Sequence, residues 1–195
     1  AQHAARAYQR AGVAAFHIED QIFPKKCGHY ANKQLVSKFE FVQKIRAVKD
    51  SLNDSSTLVI ARTDAIAVEG FSAAIERAIA YAEAGADILF VEAPTNLNQI
   101  KKIAKTLPGP KLINMFNGGK TPLISVPILK DLGYQIVIIP SDLQRAAIHS
   151  MSNVLGAIKR DGDSNAVEHE MVSFDEREEI IGTADYMDQE TLYSS

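Results

Sequence analysis

The sequence predicts an α/β protein built on a parallel sheet, and it favours a (β/α)8 barrel. Three segments share one design, in which a helical pattern ends at a glycine and an apolar run follows at once; the glycines are Gly12, Gly85 and Gly133. Glycine suits the left-handed conformation that closes many helices. Apolar runs that alternate with helices are typical of strands that are covered on both faces, as in parallel sheets.

Helix and strand signals alternate along the chain. Ser37 is followed three residues later by Glu40, which is the pattern of a capping box at a helix start. Ile75 and Ile79 mark the apolar stripe of the next helix, and the turn ending at Pro110 precedes a strand. The predicted strands cover residues 13–20, 57–64, 86–93, 111–116 and 134–141. The predicted helices cover residues 1–11, 37–49, 72–84, 98–107, 126–132, 142–160 and 174–181.

The carboxyl ends of the predicted strands favour a closed barrel over an open doubly wound sheet. Polar groups at every strand end are costly unless they converge on a ligand, and in a barrel all these ends face one mouth. An open sheet would bring a Gly-rich phosphate loop at its crossover point, and the sequence has neither GxGxxG nor a P-loop. The polar residues at the strand ends are Glu19, Asp20, Arg62, Asp64, Glu92, Asn114, Ser141 and Asp142.

The chain divides into a barrel part and a tail. Residues 1–160 are expected to form the C-terminal part of a (β/α)8 barrel including its last helix, and residues 161–195 an acidic tail with one short helix and a loosely held end. The chain starts inside a helical pattern without an initiator methionine, so we treat it as a candidate fragment whose first barrel strands are absent.

Composition excludes several classes of partner. A net charge of −3 over 195 residues gives no electrostatic reason to expect nucleic acid or an anionic membrane. No apolar run approaches a membrane span, and there is no signal-peptide pattern. The single cysteine cannot form an internal disulfide. We expect a cytoplasmic protein, or one in an organelle matrix if a targeting segment was removed.

The cysteine lies in the run Lys25-Lys26-Cys27-Gly28-His29. Neighbouring cations favour the thiolate form of a cysteine, so this setting is typical of a reactive thiol. A structural cysteine would usually lie in an apolar run. The alternative is a solvated loop that contains an incidental cysteine.

Several motifs together carry a resemblance to a known family. They are HIEDQ at 17–21, KKCGH at 25–29, ARTDAIAVEGFSAAIERAIAYAEAGAD at 61–87, VEA at 91–93, Asn114, and GGKTP at 118–122. In this order they resemble the isocitrate lyase and phosphoenolpyruvate mutase superfamily, and most of all its 2-methylisocitrate lyase branch. The resemblance implies a (β/α)8 barrel whose last helix swaps with a neighbouring subunit in a homotetramer of paired dimers. It also implies Mg²⁺ or Mn²⁺ and a 2-oxo or 2-hydroxy carboxylate substrate.

The resemblance also implies roles for individual residues. Cys27 would protonate the enolate leaving group, and Arg62 would pair with a carboxylate or the developing oxyanion. Glu19 would belong to the metal site through water, while the aspartates that touch the metal would lie on strands before residue 1. Substrate contacts would come from Gly28, His29, Glu92, Asn114, Met115, Phe116 and Arg145, with Arg145 on a distal carboxylate.

The implied reaction is the cleavage of 2-methylisocitrate, or of a similar 2-hydroxy di- or tricarboxylate, to an oxo acid such as pyruvate and a dicarboxylate such as succinate. Such a cleavage needs groups that stabilise negative charge and one fast proton donor, and an arginine, a metal and a thiol supply them. Cys27 argues against the phosphonopyruvate mutase and hydrolase branches. Cys27 does not exclude carboxyphosphonoenolpyruvate mutase, oxaloacetate hydrolase or dimethylmalate lyase. Lyases of this group tend to have Glu where this chain has Asn117, which leaves the exact substrate open.

Three further alternatives remain at the level of sequence. Arg62 could serve only in an ion pair with Asp64 or Glu92, and Glu92 only in a salt bridge inside the barrel. A rival from a different class is a non-catalytic assembly subunit that keeps part of a barrel and docks on a partner through the helix over 142–160. Such a subunit would be indifferent to Mg²⁺.

Overall fold

The computed structural model of the protein describes residues 1–28 and 32–193. The predicted substrate residue His29 lies outside these residues. The chain divides into two compact units, Ala1–Pro140 and Ser141–Ser195. The helix over 142–160, which the sequence analysis assigned to the barrel, begins the second unit, and the boundary expected after residue 160 stays a prediction.

The first unit is built on one parallel sheet. Across the described residues this sheet has five strands in the order β1-β2-β3-β4-β5, so every strand pairs with its neighbours in sequence. Glu19 lies opposite Arg62, and Arg62 lies opposite Phe90, so the strand ends stay level across the sheet. The strands are β1 (Ala15–Glu19), β2 (Leu58–Thr63), β3 (Ile88–Val91), β4 (Lys111–Asn114) and β5 (Ile136–Ile138). The predicted α/β fold with parallel strands is confirmed.

The helices of the first unit begin and end where the sequence signals lie. Ser37 Oγ accepts a hydrogen bond from the Glu40 amide at 3.1 Å, as a capping box requires. Gly133 ends a helix with φ of 92°, in the left-handed region. The helices are α1 (Gln2–Arg10), α2 (Lys38–Ser51), α3 (Phe71–Glu83), α4 (Leu97–Thr106) and α5 (Val126–Leu132).

The two faces of the sheet differ in what covers them. On the helix side, a large buried cluster joins strand residues such as Ile113 to helix residues such as Phe41 and Tyr81. A smaller apolar cluster forms on the other face, from Ile60, Ile88, Phe90 and Leu112. Because alternate residues of a strand share a face, this second face continues into the polar residues at the strand ends. In a (β/α)8 barrel it would be the face that lines the interior.

The second unit is helical, and it contains a helix that the sequence analysis did not predict. This helix covers Thr183–Tyr193, and the expectation of a loosely held end stays a prediction. Gly182, with φ of 71°, ends the preceding helix and a new one starts at once. Its large apolar residues, such as Tyr186 and Leu192, are exposed. The sequence therefore has no one-sided apolar stripe from which this helix could be predicted. The elements are α6 (Asp142–Asp161), a 3-10 segment (Asn165–Glu170), α7 (Phe174–Ile181) and α8 (Thr183–Tyr193).

The swapped packing of the last barrel helix stays a prediction. In the part of the chain that the structure describes, no helix combines the length and the apolar composition needed to cross a membrane.

Helix α2 offers a matched test of the core. Phe41 is 0% exposed and packs against Tyr81 with ring centroids 4.7 Å apart, whereas Phe39 is 73% exposed. We expect Phe41→Ala to lower the free energy of unfolding by about 3–5 kcal/mol, because it leaves a cavity in the core. Phe39→Ala should change it by less than about 0.5 kcal/mol. Urea unfolding measures both, and equal losses would contradict this assignment of the core.

Candidate active site

Arg62 lies at the centre of the polar strand ends. Its Nε donates to Asp64 Oδ2 at 2.8 Å and its Nη2 to Asp64 Oδ1 at 3.0 Å, a two-point grip. Its guanidinium also lies 3.6 Å from a Glu19 oxygen and 3.8 Å from a Glu92 oxygen. The ring of Phe90 lies beneath it, 5.1 Å from the guanidinium carbon. The charged groups that the sequence placed at separate strand ends therefore meet around one arginine.

The carboxyl groups around Arg62 differ in protonation behaviour. Burial would raise the pKa of Asp64, but the hydrogen bonds and charge of Arg62, with help from Lys33, hold that pKa below its usual range. For Glu92 burial dominates and raises the pKa above its usual value, and Arg62 offsets this only in part. Asp64 is therefore the ionised partner of the arginine, while Glu92 binds a proton more readily.

Glu92 and Asn114 extend the site across β3 and β4. Asn114 Nδ2 donates to Glu92 Oε1 at 3.3 Å. Asn114 Oδ1 is buried and accepts no hydrogen bond from the described residues, so it is an acceptor that a ligand could use. Directly after Glu92, Ala93 has φ of 59°, a left-handed conformation that a residue with Cβ adopts at some cost in strain. This turn takes the chain away from the strand end immediately after Glu92.

The segment that carries Cys27 is held by side-chain bonds to its backbone. Gln21 Nε2 donates to the Lys26 carbonyl at 2.9 Å, and Gln21 Oε1 accepts from the Lys26 amide at 2.9 Å, so one side chain satisfies both backbone groups of Lys26. Gln21 also pairs with Leu35 in an antiparallel bridge. Cys27 itself is exposed. A cleft of about 350 Å³ lies beside this segment, lined among others by Gln21, Phe23 and Lys33.

Gly28 brings this segment onto the strand ends. It is buried, and a Cβ placed on it would lie 2.6 Å from Arg62 Nη2 and 2.7 Å from Glu92 Cγ. Such distances leave no room for a side chain, so the backbone next to Cys27 touches the arginine and the glutamate directly. The thiol-bearing residue is thus one position away from the charged centre of the site.

A buried network around Asp20 supports the strand ends from the helix side. Asp20 accepts from Thr63 Oγ1 at 2.7 Å, from the Asp64 amide at 3.0 Å and from the Tyr81 hydroxyl at 2.8 Å. Arg77 lies 3.4 Å from the same carboxylate. Burial raises the pKa of Asp20, and these hydrogen bonds oppose the increase. The network ties α3 to the ends of β1 and β2, and it fixes the backbone of Asp64.

The structure brings some of the predicted site residues together and places others elsewhere. Glu19, Gly28, Arg62, Glu92 and Asn114 meet at the strand ends.

Of the other predicted site residues, Met115 lies in the apolar cluster on the helix side of the sheet. Phe116 is half-buried in the turn after β4, where its carbonyl accepts from the Gly119 amide. Arg145 belongs to the second unit, with a guanidinium nitrogen 3.8 Å from Asp142. The substrate roles of these residues stay predictions. Arg62 forms an ion pair with Asp64, as expected in the alternative in which this arginine has only a structural role.

Sequence reasoning missed Lys33. Its ammonium donates to Asp64 Oδ1 at 3.0 Å and to the Gly28 carbonyl, and its side chain is 1% exposed. Nothing in a polar loop distinguishes such a lysine from a solvated one. The available signal was a strand-end aspartate, Asp64, which needed a cationic partner.

The described residues do not form a direct metal centre. Among residues 1–28 and 32–193, no group of three or more His, Cys, Asp or Glu side chains could hold a metal ion. The Glu19 carboxylate faces cations instead, 3.6 Å from Arg62 Nε and 3.4 Å from Lys25 Nζ. The described donor set therefore does not fit a directly bound divalent ion.

The fold and the site together define a class of α/β protein. In this class the carboxyl ends of a parallel sheet bring together an arginine, several carboxylates and a segment that carries a cysteine. The family described as phosphoenolpyruvate phosphomutase matches residues 1–159, and the chain belongs to it. The resemblance to the isocitrate lyase and phosphoenolpyruvate mutase superfamily is thereby confirmed.

Two curated relatives are lyases. 2,3-Dimethylmalate lyase of Eubacterium barkeri is 40% identical over 190 residues, which cover 97% of this chain and 66% of the relative. 2-Methylisocitrate lyase of Aeropyrum pernix is 43% identical over 181 residues, which cover 93% of this chain and 58% of the relative. The chain thus spans less than two thirds of the length of these relatives.

Solved structures agree with this assignment. The structure of a 2,3-dimethylmalate lyase, described as a PEP mutase/isocitrate lyase superfamily member, superposes with a TM-score of 0.88 at 33% sequence identity. The alignment covers 100% of this chain and 65% of the lyase chain. The structure of a phosphonopyruvate hydrolase in complex with oxalate and Mg²⁺ superposes with a TM-score of 0.79 at 30% sequence identity. The alignment covers 100% of this chain and 68% of the hydrolase chain. The parallel sheet is accordingly a half-barrel of this superfamily.

The close approach at Gly28 gives a test of the site's packing. We expect Gly28→Ala to lower the free energy of unfolding by about 1–3 kcal/mol, because the added methyl group meets Arg62 and the buried Glu92. Gly156→Ala is the matched control, since it lies in α6 with open space around the new Cβ and should leave stability unchanged or raised. Chemical unfolding compares them, and a neutral Gly28→Ala would contradict the contact.

Proposed function

We propose that the protein is a metal-dependent carbon–carbon lyase acting on a 2-hydroxy di- or tricarboxylate, with 2-methylisocitrate as the leading substrate. One observation carries the proposal: Gly28, next to Cys27, touches Arg62 and Glu92 at the strand ends. A proton donor and a carboxylate-binding cation therefore lie at the same place. The sequence similarity to 2-methylisocitrate lyase and 2,3-dimethylmalate lyase supports it.

The proposed chemistry uses both groups. As the bond next to the carbinol carbon breaks, Glu92, a carboxyl whose pKa burial raises, accepts the hydroxyl proton. The hydroxyl becomes a carbonyl, and the electron pair of the broken bond passes to the leaving carbon as an enolate. The Cys27 thiol donates its proton to that carbon and is left as a thiolate. Arg62 binds a substrate carboxylate or the developing oxyanion, and Asp64 holds its guanidinium in place.

The remaining predicted residues have supporting roles in this proposal. Glu92 and Asn114 would bind the substrate's carboxylate and hydroxyl, and the buried Oδ1 of Asn114 is a suitable acceptor for a hydrogen bond from the hydroxyl. His29, Met115, Phe116 and Arg145 complete the proposed substrate contacts.

A bound Mg²⁺ or Mn²⁺ would supply further stabilisation of negative charge, as a metal does in this class of reaction. The described residues do not supply its direct ligands, and we assign Glu19 to that site only through water. Proton donation by Cys27 and carboxylate binding by Arg62 use protein groups alone. We further propose that the protein acts in the cytoplasm as a homotetramer of helix-swapped dimers.

A substrate panel tests the proposal. With Mg²⁺ present, we expect the full-length protein to release pyruvate and succinate from 2-methylisocitrate faster than it cleaves 2,3-dimethylmalate or oxaloacetate. Faster cleavage of 2,3-dimethylmalate would move the assignment to that lyase, which the 40% identity to the Eubacterium barkeri enzyme makes the second candidate. No turnover of any of these acids, with no response to Mg²⁺, would favour the non-catalytic assembly subunit.

The role of Cys27 has its own test. Cys27→Ser keeps the size of the side chain but replaces the thiol by a much weaker acid, so we expect turnover to fall by about 10²–10⁴-fold. Folding and ligand affinity should be nearly unchanged, because Cys27 is exposed. Steady-state kinetics, thermal unfolding and calorimetric binding of the product succinate measure the three quantities. Unchanged turnover would rule out the role as proton donor.

A further inference from the structure

Lys33 differs from the other two lysines of the Cys27 segment. The Lys25 ammonium lies 3.4 Å from Glu19 with its side chain 54% exposed, and Lys26 donates to the Asn32 carbonyl on an exposed surface. The Lys33 side chain is instead 1% exposed, next to an Asp64 side chain that is 0% exposed. Burying an ammonium is costly unless it is paired and hydrogen-bonded, so a buried lysine here marks a contact that the local structure depends on.

The two partners of Lys33 lie on different parts of the site. Its ammonium donates to Asp64 Oδ1 at 3.0 Å and to the carbonyl oxygen of Gly28. Asp64 belongs to the end of β2, whereas Gly28 belongs to the segment that carries Cys27. Lys33 therefore connects the backbone beside Cys27 to the strand end that orients Arg62.

The Gly28 backbone has little room in which to move. It packs so closely on Arg62 and Glu92 that a Cβ would lie within 2.6 to 2.8 Å of their atoms. Asp64 Oδ1 accepts from both Arg62 Nη2 and Lys33 Nζ at 3.0 Å. The Asp64 carboxylate thus holds Arg62 directly. Through Lys33 it also holds the Gly28 backbone next to Cys27.

We propose that Lys33 is a positioning residue, which holds Gly28 against Arg62 and thereby sets the place of Cys27 in the site. Its role is to orient the proton donor without touching the substrate. The kinetic consequence rests on the proposed function, whereas the structural consequence does not. If Lys33 sets this geometry, its loss should slow the proton-transfer step and loosen the segment around Cys27.

The test compares Lys33→Met with Lys111→Met in the full-length protein. Lys111 is also a buried lysine, and it donates to the Leu107 and Gly109 carbonyls at the opposite end of β4, away from the site. Both variants remove a buried ammonium, so both report the general cost of that change. Only Lys33→Met removes the link to Gly28.

Two readouts separate positioning from stability. For Lys33→Met we expect kcat to fall on the order of 100-fold with little change in KM, because misplacing a reacting group slows the chemical step. We also expect tryptic cleavage after Lys25 and Lys26, followed by mass spectrometry, to accelerate at least about fivefold under native conditions. Lys111→Met should change neither readout by more than about twofold.

Folded Lys33→Met with both readouts within about twofold of the unsubstituted protein would overturn the proposal. If this variant does not fold, the Lys33→Met/Asp64→Asn double variant also removes the buried negative charge that the lost ammonium had helped to balance. It is compared with Asp64→Asn alone by the cleavage readout, where faster cleavage of the double variant supports the proposal and equal cleavage overturns it. Absence of lyase turnover in the unsubstituted protein would count against the proposed function alone, since the cleavage comparison still tests Lys33.

Discussion

The ion pair between Arg62 and Asp64 is the interaction on which the polar end of the half-barrel depends. Asp64 binds the Nε and Nη2 edge of the guanidinium, so the arginine reaches its position already oriented. Removing one partner of a buried ion pair costs about 3–5 kcal/mol, a large part of a typical domain's stability. The network around Asp20 fixes the Asp64 backbone in turn. Helix α3 therefore stabilises the site without contributing a group to its surface.

In the proposed function, Arg62 would bind an anionic group of the substrate. The pair with Asp64 uses one edge of the guanidinium, while Nη1 lies 3.8 Å from Glu92, beyond hydrogen-bonding distance. Burial raises the pKa of Glu92, so this neighbour can lose its charge more easily than an exposed carboxyl group. A carboxylate arriving at the strand ends would then meet a cation whose orientation costs no further energy. Preorganisation of this kind is what stabilises developing charge in enzyme sites.

The sequence predicted the fold well because its signals are local. Glycines such as Gly133 mark helix ends, and apolar runs mark strands that are covered on both faces. The convergence of Glu19, Arg62 and Glu92 was also predictable, because the carboxyl ends of parallel strands lie at one edge of a sheet. Lys33 and Gln21 were not predictable, because their partners lie in backbone carbonyls and in a distant aspartate. Met115 lies two residues after Ile113 and packs in the same helix-side cluster, so the alternation of a strand already predicted that it faces away from Asn114.

The bond from Lys33 to the Gly28 carbonyl constrains how the chain can vary between these two positions. The lysine side chain has a limited reach from its own backbone, and Gln21 holds the chain at Lys26, just before Cys27, by two hydrogen bonds. The number of residues between Gly28 and Lys33 is therefore restricted. Homologous chains that keep this lysine should accept few insertions or deletions in that interval, since a change of one residue would move the ammonium off its carbonyl.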